Sequence, residues 1–179
     1  FSLTTLQSDA QLDFIGRSII VDNFSPSYDV GAMVFSDKKY KHFDYAFGVF
    51  NGRGLNQSEN NNSKFLIGRI EAAPFISSGQ ATLSKLYLGF SAAYGKNSNP
   101  VGKTSYKTVT EVPVFTFNDS INQIGKNSVY GYDLVWYYKS FSASAEYLQF
   151  HGQYLRNSTD NIDFTSNGYY LAGTFILTG

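Results

Sequence analysis

The sequence lacks cysteine, net charge and long apolar runs. None of its 179 residues is Cys, and 14 Lys and Arg balance 14 Asp and Glu, so that charged residues make up only 16% of the chain. The absence of Cys excludes a disulfide framework and any thiolate metal site. Without net positive charge, no nucleic-acid partner is expected. The longest strongly apolar run, Leu134–Tyr138, has five residues, whereas a membrane-spanning helix needs roughly 18. A helical membrane protein is therefore excluded.

Aromatic residues are abundant instead, with 16 Phe and 14 Tyr. So many aromatic residues without net charge favour a folded chain over a disordered one. Apolar residues recur at every second position, the period of a β-strand with one apolar face. This alternation predicts about eight strands, near 29–36, 42–50, 66–72, 85–94, 106–117, 130–139, 141–147 and 169–177. Pro113 argues against a central place in the sheet for the segment 106–117.

The connections between these strands alternate between short and long. The short ones are 36–42, 74–84 and 139–140, and the long outer loops, rich in Asn, Ser and Gly, are 51–63, 95–128 and 151–167. This layout is typical of transmembrane β-barrels, which have short periplasmic turns at one end and long outer loops at the other. Before the first strand, Ser8 to Gln11 have the form of a capping box, which predicts one short helix near 9–16.

The apolar faces of the strands could meet either lipid or a second protein layer. In a soluble sandwich the opposite faces would meet water and carry many Lys, Glu and Thr residues. Here they carry mostly Gly, Ala and Ser, which leave room in a lumen, and Tyr or Trp lies near the strand ends of the apolar faces, as in interfacial girdles. The pattern favours an all-β, antiparallel, up-and-down transmembrane β-barrel. A soluble antiparallel β-sandwich that binds a ligand through its long loops is the alternative.

Several segments, in order along nearly the whole chain, carry a family resemblance. They are Phe1–Leu3, Leu12–Ser18, Val21–Ser27, Phe47–Gly52, Gly68–Arg69, Ala73–Phe75, Ser142–Tyr147 and Gly168–Gly179. Together they resemble the phosphate-selective porin O/P family of outer-membrane channels. The resemblance implies a barrel of about sixteen strands, the size that encloses an aqueous channel, of which this chain would be an internal, incomplete portion. A complete eight-stranded barrel is the competing possibility.

The resemblance also implies a function and a location. It implies that residues 1–179 belong to a single β-barrel domain of the bacterial outer membrane, in contact with lipid. The implied function is the passive passage of small hydrophilic, ionic solutes or anions. It implies a homotrimer, and it places 4–28 in a constriction loop that folds into the barrel and narrows it. A barrel with a structural or assembly role in an envelope complex is a further alternative, which bilayer conductance would distinguish.

Arg17 is the only basic residue of the segment 4–28, which also contains Asp9, Asp13 and Asp22. A phosphate pathway needs several Arg or Lys donors to replace the water shell of the anion. The net acidic loop therefore predicts weak or no phosphate preference. Arg17 is a candidate selectivity residue or, alternatively, the ion-pair partner of one of the aspartates.

The strand period directs further charged side chains into the lumen. They are Arg69, Glu71, Lys85, Asp133, Lys139 and Glu146. All of these except Lys139, which lies at a short turn, are candidate pore-lining residues. They predict either a mixed-charge lumen with weak ion preference or a set of salt bridges that solvate the wall. Lys103, Lys107 and Glu111 belong to the segment 95–128, which either folds inward or forms a solvated outer loop, and the outer loop is favoured.

Signals of catalysis are scarce. The sequence has only two histidines, His42 in a predicted turn and His151 after a predicted strand, and no spacing places a serine nucleophile beside either. No glycine pattern has the form of a phosphate-binding loop. We therefore expect no enzyme, no cofactor and no metal site.

Overall fold

A computed structural model describes residues 1–8, 10, 12–14, 16–26, 28–36, 42–52, 63–101, 105–118, 120–157 and 159–177, with the backbone alone at 97–101. The helices of these residues are α1, Leu3–Leu6, and α2, Ile19–Phe24. The strands are β1, Gly31–Phe35; β2, Phe43–Phe50; β3, Phe65–Ala72; β4, Leu86–Val101; β5, Ser105–Lys107; β6, Pro113–Thr116; β7, Ile121–Tyr138; β8, Phe141–Arg156; and β9, Asp160–Phe175.

Seven strands form one antiparallel sheet in the order β1-β2-β3-β4-β7-β8-β9. Each strand pairs with its neighbour in sequence except across the β4–β7 connection, which contains the separate hairpin β5–β6. Pro113 begins β6 of this small hairpin, as its missing N–H requires. The large sheet is open, with β1 and β9 at its edges. The prediction of an antiparallel up-and-down all-β fold is confirmed.

One face of the sheet, here called the outward face, is apolar and uncovered. Its large exposed side chains are Phe43, Tyr45, Phe47, Val49, Leu66, Leu88, Tyr94, Tyr130, Tyr132, Leu134, Phe141, Tyr147, Tyr169, Leu171 and Phe175. The buried residues gather on the opposite, inward face, among them Val21, Tyr106, Leu148 and Tyr154. Since the segments that pack on the sheet all lie on the inward face, the described residues do not form the sandwich considered as an alternative.

The apolar part of the outward face has the height of a membrane. On β7 it runs from Tyr130 to Tyr138, which is about 27 Å along the strand and about 21 Å across the bilayer at the usual tilt. Trp136 lies at one end, where its indole Nε1–H donates to the Thr82 carbonyl at 2.6 Å. Tyr94 and Tyr130 lie toward the other end. Aromatic residues at both ends of an apolar band are typical of membrane interfaces.

The strands extend well beyond this apolar band, and this corrects two predicted loops. Residues 95–101 belong to β4 and 121–128 to β7, and most of 151–167 forms the paired ends of β8 and β9. The extension was missed because polar side chains fill its outward face, so the alternation disappears. We call the residues 121–128, 149–156 and 160–167 the outer wall. In the predicted loop 51–63, residues 53–62 lie outside the described residues.

Of the predicted helix near 9–16, residues 9, 11 and 15 lie outside the described residues. Residue 10 is in a 3-10 turn and residues 12–14 and 16 are irregular, and the two α-helices of the described residues lie on either side of this stretch. A capping box does exist, but it joins Ser2 and Thr5 at the start of α1. The guanidinium of Arg17 donates to the carbonyls of Thr4 and Gln7, at 2.8 and 2.9 Å. Because these carbonyls are the acceptors that a continuing helix would use, α1 ends and the chain turns.

Among the described residues of the large sheet, the register is interrupted at two places, both in its extended part. The β4–β7 pairing shifts between Asn97 and Val101, and the β7–β8 pairing shifts between Gln123 and Asn127. Gly125 lies in the second one with φ +111°, a conformation that side chains disfavour. A bulge bends the strand that contains it and increases its twist.

Candidate functional site

The N-terminal segment, residues 1–28, lies across the inward face of the sheet. The Phe1 carbonyl accepts a hydrogen bond from the Ser91 hydroxyl at 2.6 Å, and the Leu3 N–H donates to the Glu146 carboxylate at 3.2 Å. Farther along, Ile20 of α2 lies over Gly168 of β9, where an added Cβ would be 3.2 Å from the Ile20 side chain. The segment therefore contacts the sheet at two places, one polar and one apolar.

The polar contact is a charged cluster that we call the polar anchor: Arg69, Glu71, Ser91, Asp133 and Glu146. The Arg69 guanidinium makes a bidentate pair with Asp133, at 2.6 and 2.8 Å, and also contacts Glu71 at 3.2 Å and Ser91 at 3.0 Å. The same guanidinium donates to the Phe1 carbonyl at 3.3 Å. A charge-assisted fork of this kind fixes direction as well as distance.

Strand register brings the polar anchor together. Glu71, Gly89, Asp133 and Glu146 are successive partners across four strands, so their side chains lie at one height. Gly89 leaves room for Asp133, because a Cβ there would lie 2.3 Å from its carboxylate. Arg69, Asp133 and Glu146 are only 9%, 8% and 3% exposed. These three residues therefore contact the N-terminal segment and one another more than open solvent.

Arg17 closes the segment on itself through its hydrogen bonds to Thr4 and Gln7. It also makes a further interaction within the protein. Beside it lies a cavity of about 260 Å³, between residues 3–18 and the strands β7 to β9. Asp13, Arg17, Tyr137, Ser144 and Thr174 are among its lining residues. The cavity lining is thus mixed, with hydroxyl groups and charges of both signs beside apolar side chains such as Leu12, Phe14 and Val135.

The apolar contact is a set of rings that we call the aromatic anchor: Phe24, Tyr106, Phe115, Phe117, Phe150, Tyr154 and Phe164. The rings of Phe24 and Tyr106 are 4.6 Å apart, as are those of Phe117 and Tyr154. The hydroxyls of Tyr106 and Tyr154 form a buried hydrogen bond of 3.0 Å, and burial raises the pKa of the Tyr106 hydroxyl. The hairpin β5–β6 is thereby packed against α2 and the outer wall.

Asn23 ties the hairpin to α2. Its side-chain amide donates to the Lys107 carbonyl at 2.8 Å and accepts from the Lys107 N–H at 2.9 Å. The solvated outer loop predicted for Lys107 and Glu111 is therefore wrong in part, because their hairpin folds inward. Their side chains stay exposed and pair at 2.7 Å. Lys103 lies outside the described residues.

Two further predicted residues, Lys85 and Lys139, lie at the short-turn end of the sheet, whereas Glu71 belongs to the polar anchor. Lys85 directly precedes β4, and its carbonyl accepts the Tyr137 N–H at 3.2 Å. Lys139 occupies the β7–β8 turn with φ 54°, and its Nζ lies 5.4 Å from the Tyr138 ring centre. Glu71 keeps its side chain 35% exposed. The sequence analysis missed Ser91, Asn23 and the aromatic anchor, although Phe150 and Tyr154 keep the inward period of β8.

The two histidines lie at opposite ends of the sheet. His42 contacts Ser77 at 3.1 Å, and His151 contacts Thr165 at 3.0 Å and Asp163 at 3.8 Å. Neither pair lies near the N-terminal segment or its cavity. Within the part of the chain that the structure describes, no group of three or more His, Asp or Glu side chains is placed to hold a metal ion.

Comparison with known proteins gives one match. The family model for phosphate-selective porin O and P matches residues 1–179. No curated protein and no solved structure matches the chain. The matched region contains the large sheet, the N-terminal segment and the hairpin. Among the described residues, no helix is both long enough and apolar enough to cross a membrane.

Proposed function

The chain belongs to the phosphate-selective porin O and P family, and we propose that it forms wall and constriction of a passive outer-membrane pore for small hydrophilic, ionic solutes. The family consists of bacterial outer-membrane channels, not of enzymes. The main support for this proposal is that the two faces of the sheet differ. The outward face is apolar, exposed and of membrane height, and the inward face packs against the folded N-terminal segment. Lipid suits the first face, and a lumen suits the second.

In this proposal the constriction loop 4–28 narrows the lumen, and the candidate residues have two different roles. Arg69, Asp133 and Glu146 hold the segment against the wall, because they are buried beneath residues 1–3. Arg17 shapes the segment through its carbonyl contacts. Glu71 and Lys85 remain accessible and line the aqueous path. Further strands close the barrel beyond β1 and β9.

We propose weak or no phosphate preference. The segment 4–28 has one Arg against three Asp, and Arg17 already donates to two carbonyls. A site for phosphate needs several donors that are free to replace water. Ions are then selected weakly by the mixed charges of the lumen wall.

Planar-bilayer recording of the full-length protein tests this function. We expect ohmic conductance, a small reversal potential in a chloride gradient and little block of chloride current by phosphate. Arg17→Ala should change conductance because the segment loosens, whereas Arg156→Ala, at the exposed tip of β8, should not. Strong phosphate block that disappears in Arg17→Ala would contradict the weak preference. A folded protein that conducts nothing would favour a structural or assembly role instead.

We propose a homotrimer as the oligomeric state, following the family resemblance. The uncovered outward face offers apolar area both to lipid and to a neighbouring copy. Mass measurement of the full-length protein in mild detergent tests the proposal. A monomer that conducts at the same single-channel level would overturn the trimer and leave the pore intact.

A further inference from the structure

A row of lysines crosses the outward face at the upper edge of the apolar band, which is the edge toward the long-loop end of the strands. Lys96 of β4 and Lys126 of β7 are direct cross-strand partners, and both are exposed. Leu66 of β3 pairs with Tyr94 of β4. Extending this register by two residues places the exposed Lys64 beside Lys96. Two neighbouring strands, β4 and β7, therefore present Lys at one height, facing away from the lumen, and Lys64 directly precedes β3 on the same side.

This arrangement is unfavourable unless an anion is present. Like charges directly opposite each other on neighbouring strands destabilise a sheet. Neither Lys96 nor Lys126 forms an ion pair with the residues that the structure describes, although Lys107 does so elsewhere. Beyond Lys126, the first acidic residue of the described strands on this face is Asp163, two strands away, and it faces His151 at 3.8 Å. At the usual strand spacing this is about 10 Å away.

The height of the row indicates what that anion is. Lys96 lies two residues beyond Tyr94, and Lys126 lies four residues beyond Tyr130. These tyrosines mark the upper end of the apolar band. Lys96 is thus about 7 Å past Tyr94 and Lys126 about 13 Å past Tyr130 along their strands, which brings both lysines to the level of the lipid headgroups. A permeating ion would not meet them, because they are on the other side of the wall.

We propose that Lys96 and Lys126 bind the phosphate groups of anionic lipids in the leaflet at the long-loop end. The proposal rests on the membrane position given under Proposed function, but not on conductance or ion selectivity. Basic side chains just outside an apolar span attract anionic headgroups, and each one adds a similar amount to the binding free energy. The row would thus fix the depth of the barrel and hold a ring of ordered lipid.

The test compares lipid binding by the full-length protein and the variant Lys96→Gln/Lys126→Gln. The probe is a bisphosphorylated glycolipid in mixed micelles, measured against the same glycolipid without phosphates. We expect the double variant to bind the phosphorylated form about 30-fold more weakly, as two lost lysines predict. Lys85→Gln, which removes a lysine from the inward side before the same strand, should bind normally.

Two further arms identify the source of any signal. Inorganic phosphate at the same concentration should neither bind measurably nor compete, since it lacks the membrane anchor. Equal affinity of wild type and double variant, or equal affinity for the phosphorylated and dephosphorylated glycolipid, overturns the inference. Conductance recorded in the same preparations separates the two proposals, because failed lipid selectivity in a conducting barrel contradicts only the lysine row.

Discussion

The N-terminal segment is held at two places by opposite kinds of interaction. The polar anchor fixes residues 1–3 with a buried ion pair and a few directed hydrogen bonds. The aromatic anchor fixes α2 and the hairpin through ring packing and one hydroxyl pair. The first depends on angles and charge balance, whereas the second depends on volume and tolerates small shifts.

The two anchors also lie at unexpected positions relative to the membrane, because the polar anchor is level with the apolar band and the aromatic anchor lies beyond it. The polar anchor lies level with the apolar band, since Arg69 is flanked by the outward residues Gly68 and Ile70. The aromatic anchor lies in the outer wall, beyond the band. The polarity of the inward side chains therefore matches the segment that packs on them and not the lipid on the opposite face of the sheet. Three substitutions test how far the anchors are independent.

Removing the charge balance of the polar anchor should have the largest effect. Asp133→Ala leaves Glu71 as the one acidic partner of the buried Arg69 among the described residues. We expect this change to lower the free energy of unfolding by about 4 kcal/mol. Urea titration of the full-length barrel in lipid vesicles measures this. Asp160→Ala, an exposed acid at the start of β9, is the control. Replacing the pair by apolar residues, in Arg69→Met/Asp133→Leu, should restore much of the stability.

Asp133→Ala should also raise the conductance and its noise, because residues 1–3 lose their fixed acceptor and donor positions. Tryptic cleavage after Lys107 should be unchanged if the anchors are independent. A variant that unfolds normally would show that the ion pair is not buried as described. A parallel rise in cleavage would show that the two anchors open together.

Removing one ring from the aromatic anchor should cost somewhat less stability than Asp133→Ala. Phe117 is 9% exposed and packs on Tyr154 and Phe164, and Phe117→Ala should cost about 3 kcal/mol of local stability. Hairpin opening would then be about 100-fold more frequent. The measurement is the rate of tryptic cleavage after Lys107 in the reconstituted protein. Phe175→Ala, on the outward face, is the control, and equal rates in the two variants would contradict the packing.

Much of the strand pattern was readable from the sequence, and the reason is the lipid. Between Tyr130 and Tyr138 the outward side chains must be apolar, so the period of two is conspicuous. Above the band, Gln149 and His151 face outward into water, and the paired ends of β8 and β9 look like loop. The same parity correctly placed Arg69, Asp133 and Glu146 on one face of the sheet. It carries no information on residues 1–3, whose contacts cross up to 143 positions.

The smallest expected effect concerns the link between α2 and the hairpin. Asn23→Ala removes two reciprocal hydrogen bonds to Lys107, and at exposed positions this is worth about 1 to 2 kcal/mol. We expect cleavage after Lys107 to rise about tenfold, with the unfolding free energy of the barrel nearly unchanged. Asn161→Ala, exposed on β9, serves as the matched variant. A loss of barrel stability as large as that of Asp133→Ala would mean that the segment folds as one unit.

The register shifts beside Gly125 divide the molecule into parts with different tolerance of insertions. A residue inserted within the band, between Tyr130 and Tyr138, would exchange every later side chain of that strand between lipid and water. A residue inserted beyond Gln123, toward the tip, meets a pairing that is already offset. The tip of the outer wall is thus the place where length can change, or a foreign peptide be displayed, without disturbing the transmembrane registration.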